Sequence, residues 1–172
     1  MERDEVIRAL REAGCSREVV AHCLAVERVA VKLAEEIAAR GHRVNRRLVS
    51  LGALAHDIGR SQTHGIEHGV RGAEILRRMG MDELSRFAER HIGAGIPADE
   101  AGTLGLPKRD FVPNTVEEKI VAYADKLVDG RRIIPYDRAL ERFRMEFGPT
   151  HPAVGRLEQL HADIERLRSG SS

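Results

Sequence analysis

SREVVAHCLAVERVAVKLAEEIAARG, residues 16–41, reads as one long amphipathic helix, and that reading decides the fold class. Ser16 can cap the start by accepting from a first-turn amide, and Gly41 closes the end. Between them Val19, Cys23, Val26, Val29, Ala30, Leu33 and Ile37 recur every three or four residues, an apolar stripe that a core must cover. His22 lies within this stripe, between Val19 and Val26. An imidazole there is costly unless its ring nitrogens find partners.

The same period continues on both sides. A short helix before it ends at Gly14. After it, Asn45 can cap a helix carrying Leu48, Leu51 and Leu54, and another runs from Glu67 to Met79, where Gly80 stops it. Asp82 caps a piece ending near Arg90 or His91. Thr115 with Glu118 forms a capping box for a helix through Asp129. Two more follow at Tyr136–Phe147 and Pro152–Arg168, with Thr150 as the cap of the last. No strand alternation interrupts this series. The expected architecture is all-α, a single-domain helical bundle of six to eight helices over residues 1–172. Between Ile92 and Asn114 the pattern dissolves into glycines and prolines, a loop long enough to suggest a functional segment. The terminal Ser-Gly-Ser-Ser should fray.

Composition removes several classes of function. A net charge of +1 provides no general attraction to a nucleic-acid polymer or a membrane surface, so affinity for an anion must be local. Aromatics make up 3% of the chain, which argues against a base-stacking platform. Cys15 and Cys23, the two cysteines, suggest neither a disulfide framework nor a thiolate zinc site and read as reduced, partly buried thiols. The charged N-terminus is no signal peptide and no apolar run spans a bilayer, so a cytoplasmic protein is expected.

LAHDIGRSQTHGIEHG, residues 54–69, holds three of the eight histidines. Two patterns overlap in it. His64, Glu67 and His68 fit an H-x-x-E-H zinc-protease motif, which needs a well-formed helix through all five positions. Gly65 inside it and the polar run before it place His64 in a loop or first turn, and the motif leaves His22, Asp57 and Asp125 without a role. The other pattern is His56-Asp57. Neighbours on a helix point about 100° apart, so both reach one ion only where the helix ends beside a cavity. Gly52, Ala53 and Ala55 just before them would let another helix approach closely. Asp125, next to the stripe Ile120, Val121, Ala124, likewise needs a cation or donors.

His22, then HDIG at His56–Gly59, then Asp125 in YADKL, together resemble the HD-domain superfamily of metal-dependent phosphohydrolases. The resemblance spans about residues 20–130 and includes His68 in EHGVRGAEIL and His91 in ERHIGAGI, as in members that hold two metals. It implies that His22, His56, Asp57 and Asp125 bind a first metal, that Asp57 bridges to a second, and that His68 and His91 complete that second site. One or two divalent transition metal ions (Fe, Mn, Co, Ni or Zn) suit such a donor set. The implied reaction is in-line attack on phosphorus by a metal-activated hydroxide, with Asp57, Arg60 and Lys126 as catalytic residues.

Arg60 and Lys126 directly follow ligand segments and would clamp phosphate; Arg71 is a weaker candidate. Some two-metal members carry consecutive histidines where this chain has His91-Ile92. Members of the cyclic-dinucleotide branch carry a Lys where this chain has Arg60, and a Gly-Tyr-Pro signature absent here. The expected substrate is a small phosphorylated metabolite, a nucleotide mono- or diester. The alternative is a catalytically silent nucleotide-binding or regulatory HD module. Lys108 and Arg109 in the long loop would serve as a lid over the metals, and His64 would line the pocket. His42, His151 and His161 read as solvated. The helices of about residues 135–168 either complete the core or form a contact in a homodimer.

Overall fold

The computed structural model describes residues 1–170; the last two residues of the expected frayed tail lie outside the described residues. The long helix forms as α2 (Arg17–Ala39), following α1 (Arg3–Glu12), and Ser16 accepts from the Val19 amide at its start. Asn45 caps α3 (Arg46–Ala55) in the same way through the Leu48 amide. Then come α4 (His68–Arg78), α5 (Asp82–Arg90), α6 (Ala98–Thr103), α7 (Val116–Lys126), α8 (Tyr136–Phe147) and α9 (Pro152–Ser169). Nine α-helices are thus present among the described residues, one beyond the upper bound expected, and the class is all-α.

The core is built where α2 packs against α3 and α7; α5 packs on α3 and α7, and α4 on α5 and the 3-10 turn that follows α3. Gly52 is what permits α5 to pack on α3. A Cβ added there would lie 2.5 Å from the Phe87 ring of α5. Leu54, Ile58, Ile120 and Leu157 are fully buried at the centre. Burial of such side chains, about 1.5–3 kcal/mol each, drives the assembly.

Several boundaries differ from expectation. The extra helix, α6, sits in the segment between Ile92 and Asn114, which is a packed structure rather than an open loop. Ile96 and Phe111 pair backbone to backbone at 3.0 and 2.8 Å, and with Ala101 they form a small second core. Arg109 is drawn onto α5 by Glu89, which also holds Arg77. Neither Lys108 nor Arg109 lines the cavity described below, and Arg109 is instead paired with Glu89.

Asp82, expected as a cap, is the first residue of α5, with Met81 at the N-cap position and no side-chain cap hydrogen bond, and α9 is capped by His151, whose Nδ1 accepts from the Ala153 amide, instead of by Thr150. α7 stops at Lys126 because the chain turns into a two-residue hairpin, β1 (Val128–Asp129) with β2 (Arg132–Ile133). Thr115 caps α7 as expected, but Glu118 reaches back to the Asn114 amide, one residue before the reciprocal partner of a capping box. Among the described residues no helix is long and apolar enough to cross a membrane.

Candidate metal centre

Five elements deliver six side chains to one place. His22 comes from the second turn of α2, His56 and Asp57 from the end of α3, His68 from the first turn of α4, His91 from the end of α5, and Asp125 from α7. The HD pair can converge because α3 ends between its members. His56 is the C-cap, and Asp57 (φ −102°, ψ 12°) starts a 3-10 turn at Ile58–Ser61. The helical 100° offset no longer separates the two side chains.

Helix ends also orient the imidazoles. The last carbonyls of a helix have no intrahelical partner. His56 Nδ1–H donates to Ala53 O and His91 Nδ1–H to Ala88 O, each at 2.7 Å and each three residues back from a helix C-terminus. His68 repeats the spacing with Gly65 O at 2.7 Å, in the turn that leads into α4. His22, within its helix, has no free carbonyl nearby and donates from Nδ1 to Gly130 O at 2.6 Å. Gly130 lies in the hairpin turn at φ +60°, a conformation glycine adopts without strain. The hairpin therefore orients a ligand candidate 108 residues away in sequence.

With Nδ1 committed as donor on all four rings, Nε2 points inward. His22 Nε2 lies 2.9 Å and His56 Nε2 3.4 Å from Asp125 Oδ1. Asp57 Oδ1 lies 3.2 Å from His68 Nε2 and 3.3 Å from His91 Nε2, and those two nitrogens are 3.1 Å apart. Two lone pairs facing each other beside a carboxylate repel unless a proton or a cation lies between them.

Burial, the largest influence on His91, pushes its pKa down to about 4 despite the nearby Asp57, so this ring is neutral at pH 7. Burial would raise Asp57, but the surrounding imidazoles outweigh it and hold the carboxyl well below its ordinary value. Asp125 behaves likewise, with Lys126 and His22 opposing burial. Asp57 Oδ1 and His56 Nε2 are buried without a hydrogen-bond partner among the described residues. An orphaned anionic oxygen beside orphaned nitrogen lone pairs fits a metal ion. The donor atoms of His22, His56 and Asp125 lie within 4.8 Å of one another, as do those of His56, Asp57 and His91.

A cavity of about 430 Å³ opens over this cluster, with Arg60, Lys126 and His64 in its wall. Arg60 pairs with Asp57 at 2.8 Å and Lys126 with Asp125 at 2.6 Å. His64 lies in the loop before α4, so it shares no helix face with His68, and Glu67 is turned to Thr63. The zinc-protease pattern is not assembled. Arg71 pairs with Glu74 on the surface.

His42 is exposed as expected, but His151 and His161 are not simply solvated. His151 caps α9, while His161 Nδ1 shares a hydrogen bond of 2.7 Å with Tyr123 OH and its ring stacks on Tyr136. Sequence reasoning missed two contributions to the site. One is the hairpin, whose Asp-Gly signal at 129–130 was available. The other is the role of α8, whose Arg142, Phe143 and Phe147 face the cavity. Their helical spacing says that this face must be covered, not that it lines a cavity.

Comparison with known proteins agrees with this geometry. The family model described as HD domain matches residues 19–129. An uncharacterised protein of Methanocaldococcus jannaschii is 50% identical over 97% of this chain and 99% of its own length. The tRNA (cytidine(56)-2'-O)-methyltransferase of Picrophilus torridus is 40% identical over 96% of this chain, but the match spans only 47% of that protein. In fold, the chain is similar to the HD domain of the Listeria monocytogenes phosphodiesterase PgpH, solved with cyclic-di-AMP, at a TM-score of 0.58 and 16% identity, covering 94% of this chain and 95% of that one.

Proposed function

The chain belongs to the HD-domain family, and on that premise we propose that it is a metal-dependent phosphohydrolase acting on a small phosphorylated metabolite, a nucleotide. The observation that carries the reading is the set of inward-facing Nε2 atoms around two ionised carboxylates under an open cavity. His22, His56, Asp57 and Asp125 would hold one ion; His68 and His91, with Asp57 shared, would hold a second. Bound divalent ions would supply Lewis acidity and lower the pKa of water at the site.

Charge supports an anionic substrate. Asp57 and Asp125 are balanced by Arg60 and Lys126, so the protein's own groups at the floor sum to about zero. Any divalent ion leaves the site positive, matching a phosphate dianion in a partly water-excluded space. Arg60 can present its remaining N–H groups to two phosphate oxygens, and Lys126 supplies a point charge from the other side. Asp57 remains ionised and keeps His22, His56, Arg60, His68 and His91 converged. The four backbone carbonyls hold the imidazoles in one tautomer, which orients their Nε2 atoms for ligation in advance.

The test is elemental analysis of protein purified without chelator, paired with phosphate release in Mn²⁺. Wild type should hold about one or two divalent ions per chain, and Asp57→Ala should lose ions and at least about a hundredfold in rate. Undiminished phosphate release by a folded Asp57→Ala protein would overturn the reading. A second reading is a regulatory module without turnover. It is favoured by the methyltransferase relative, in which a segment like this chain makes up about half of a longer protein. Metal-loaded protein that binds nucleotides but releases no phosphate from any of them would establish it.

A further inference from the structure

α8 lies beyond the segment matched by the HD family model, yet it forms one wall of the cavity through Ala139, Arg142, Phe143, Glu146 and Phe147. These positions follow i, i+3, i+4, i+7, i+8, the stripe a helix ordinarily turns into a core. Here the stripe is only half covered. Ala139 and Phe143 are buried, whereas Phe147 remains 37% exposed, its ring 4.9 Å from that of Phe143 and tilted 54°. The ring of His151 supports Phe147 at 5.3 Å. In a chain with so few aromatics, one of the six is left exposed in the wall of the cavity that also contains the His/Asp cluster.

The charges around this cavity are segregated. Arg60 and Lys126 lie at the floor with the two aspartates. At the α8 side stand Asp129 and Glu146, and the one cation there, Arg142, is engaged by Asp129 at 3.1 Å. A second phosphate at that end would meet two carboxylates and a cation already paired. A neutral planar ring with hydroxyl groups would instead meet a π-face and hydrogen-bond acceptors. The volume, about 430 Å³, sits low in the range of small-molecule sites.

Resting on the phosphohydrolase reading, we propose that α8 is the specificity wall, that Phe147 stacks the base of the substrate, and that the substrate is a nucleoside monophosphate: one phosphate at the floor, one ring on α8.

Two measurements test this separately from the activity. In chelator-treated protein, where no turnover occurs, binding of AMP should shift its H2 and H8 resonances upfield in wild type. The shift should be absent in Phe147→Leu and retained in Phe147→Tyr. In Mn²⁺-loaded protein, KM for AMP should be about tenfold below that for ribose 5-phosphate, a gap Phe147→Ala erases, since one stacked base contributes that much binding or more. Equal KM values for the two substrates, or a ring shift that survives Phe147→Leu, would overturn the subsite while leaving the hydrolase reading intact. Preferred cleavage of dinucleotide diesters would overturn the single-phosphate assignment. Ring shifts without phosphate release under any metal would sustain the subsite and defeat the hydrolase reading.

Discussion

At the scale of single residues, the site is governed by where protons sit. Each histidine gives Nδ1–H to a backbone carbonyl, so the side that faces its neighbours is the basic one. Residue identity was visible in the sequence; tautomer was not, because the carbonyls belong to positions defined only by folding. The same neighbourhood sets the behaviour of Cys15, whose Sγ lies 3.6 Å from Ile58 O. Burial foremost, and then the charge of Asp57, pushes its thiol from 9.0 up to about 11. Because the folded pKa is raised, the thiolate is scarce at neutral pH and appears only as the pH approaches that value. Iodoacetamide should therefore label native Cys15 at pH 7.5 about a hundredfold more slowly than an exposed thiol, with the rate climbing up to about pH 11. Labelling as fast as that of free cysteine would contradict this environment.

Among the elements, the turn after the HD pair depends on one missing methyl group. A Cβ on Gly59 would lie 1.9 Å from His68 O and 2.6 Å from Gly72 N, both backbone atoms of α4 that cannot swing aside. Gly59→Ala should push α4 away, cost about 3 kcal/mol or more by denaturant titration, and carry His68 out of the cluster. Gly155 in α9 is the control, with nothing within 4 Å of an added Cβ. Gly155→Ala should stabilise the protein by about 0.5–1 kcal/mol through helix propensity and a less flexible unfolded chain. A neutral Gly59→Ala would mean that α4 and the 3-10 turn are not held this closely. Helix existence was legible from periodicity; this separation between elements was not, since Gly59 looks in sequence like any turn glycine.

For the whole molecule, the cluster ties α2, α3, α4, α5 and α7 together and holds His68 Nε2 and His91 Nε2 3.1 Å apart, a spacing that a cation between them would stabilise. Ions that bind only the folded chain stabilise it by mass action, about 2.7 kcal/mol at a concentration a hundredfold above Kd. For a chain of this length that is a rise in Tm of about 5–10 °C, read by calorimetry with Mn²⁺ and reversed by chelator. His22→Ala and Asp57→Ala should flatten the response. An equal rise in both variants would mean that the ions stabilise the protein elsewhere.

The sequence by itself determined the helical class, the caps at Ser16 and Asn45, and the set His22, His56, Asp57, His68, His91 and Asp125 as residues that belong together. Each of those follows from local chemistry: a 3.6-residue period, an amide acceptor at a helix start, or a resemblance carried by spacing. Only the tertiary structure decided that Ile92–Asn114 packs its own small core, that Gly130 aims His22, that Lys108 and Arg109 do not line the cavity, and that α8 does. These depend on which surfaces meet across more than a hundred residues of chain, as with His22 and Gly130. Periodicity says that a face must be covered, and packing alone chooses what covers it.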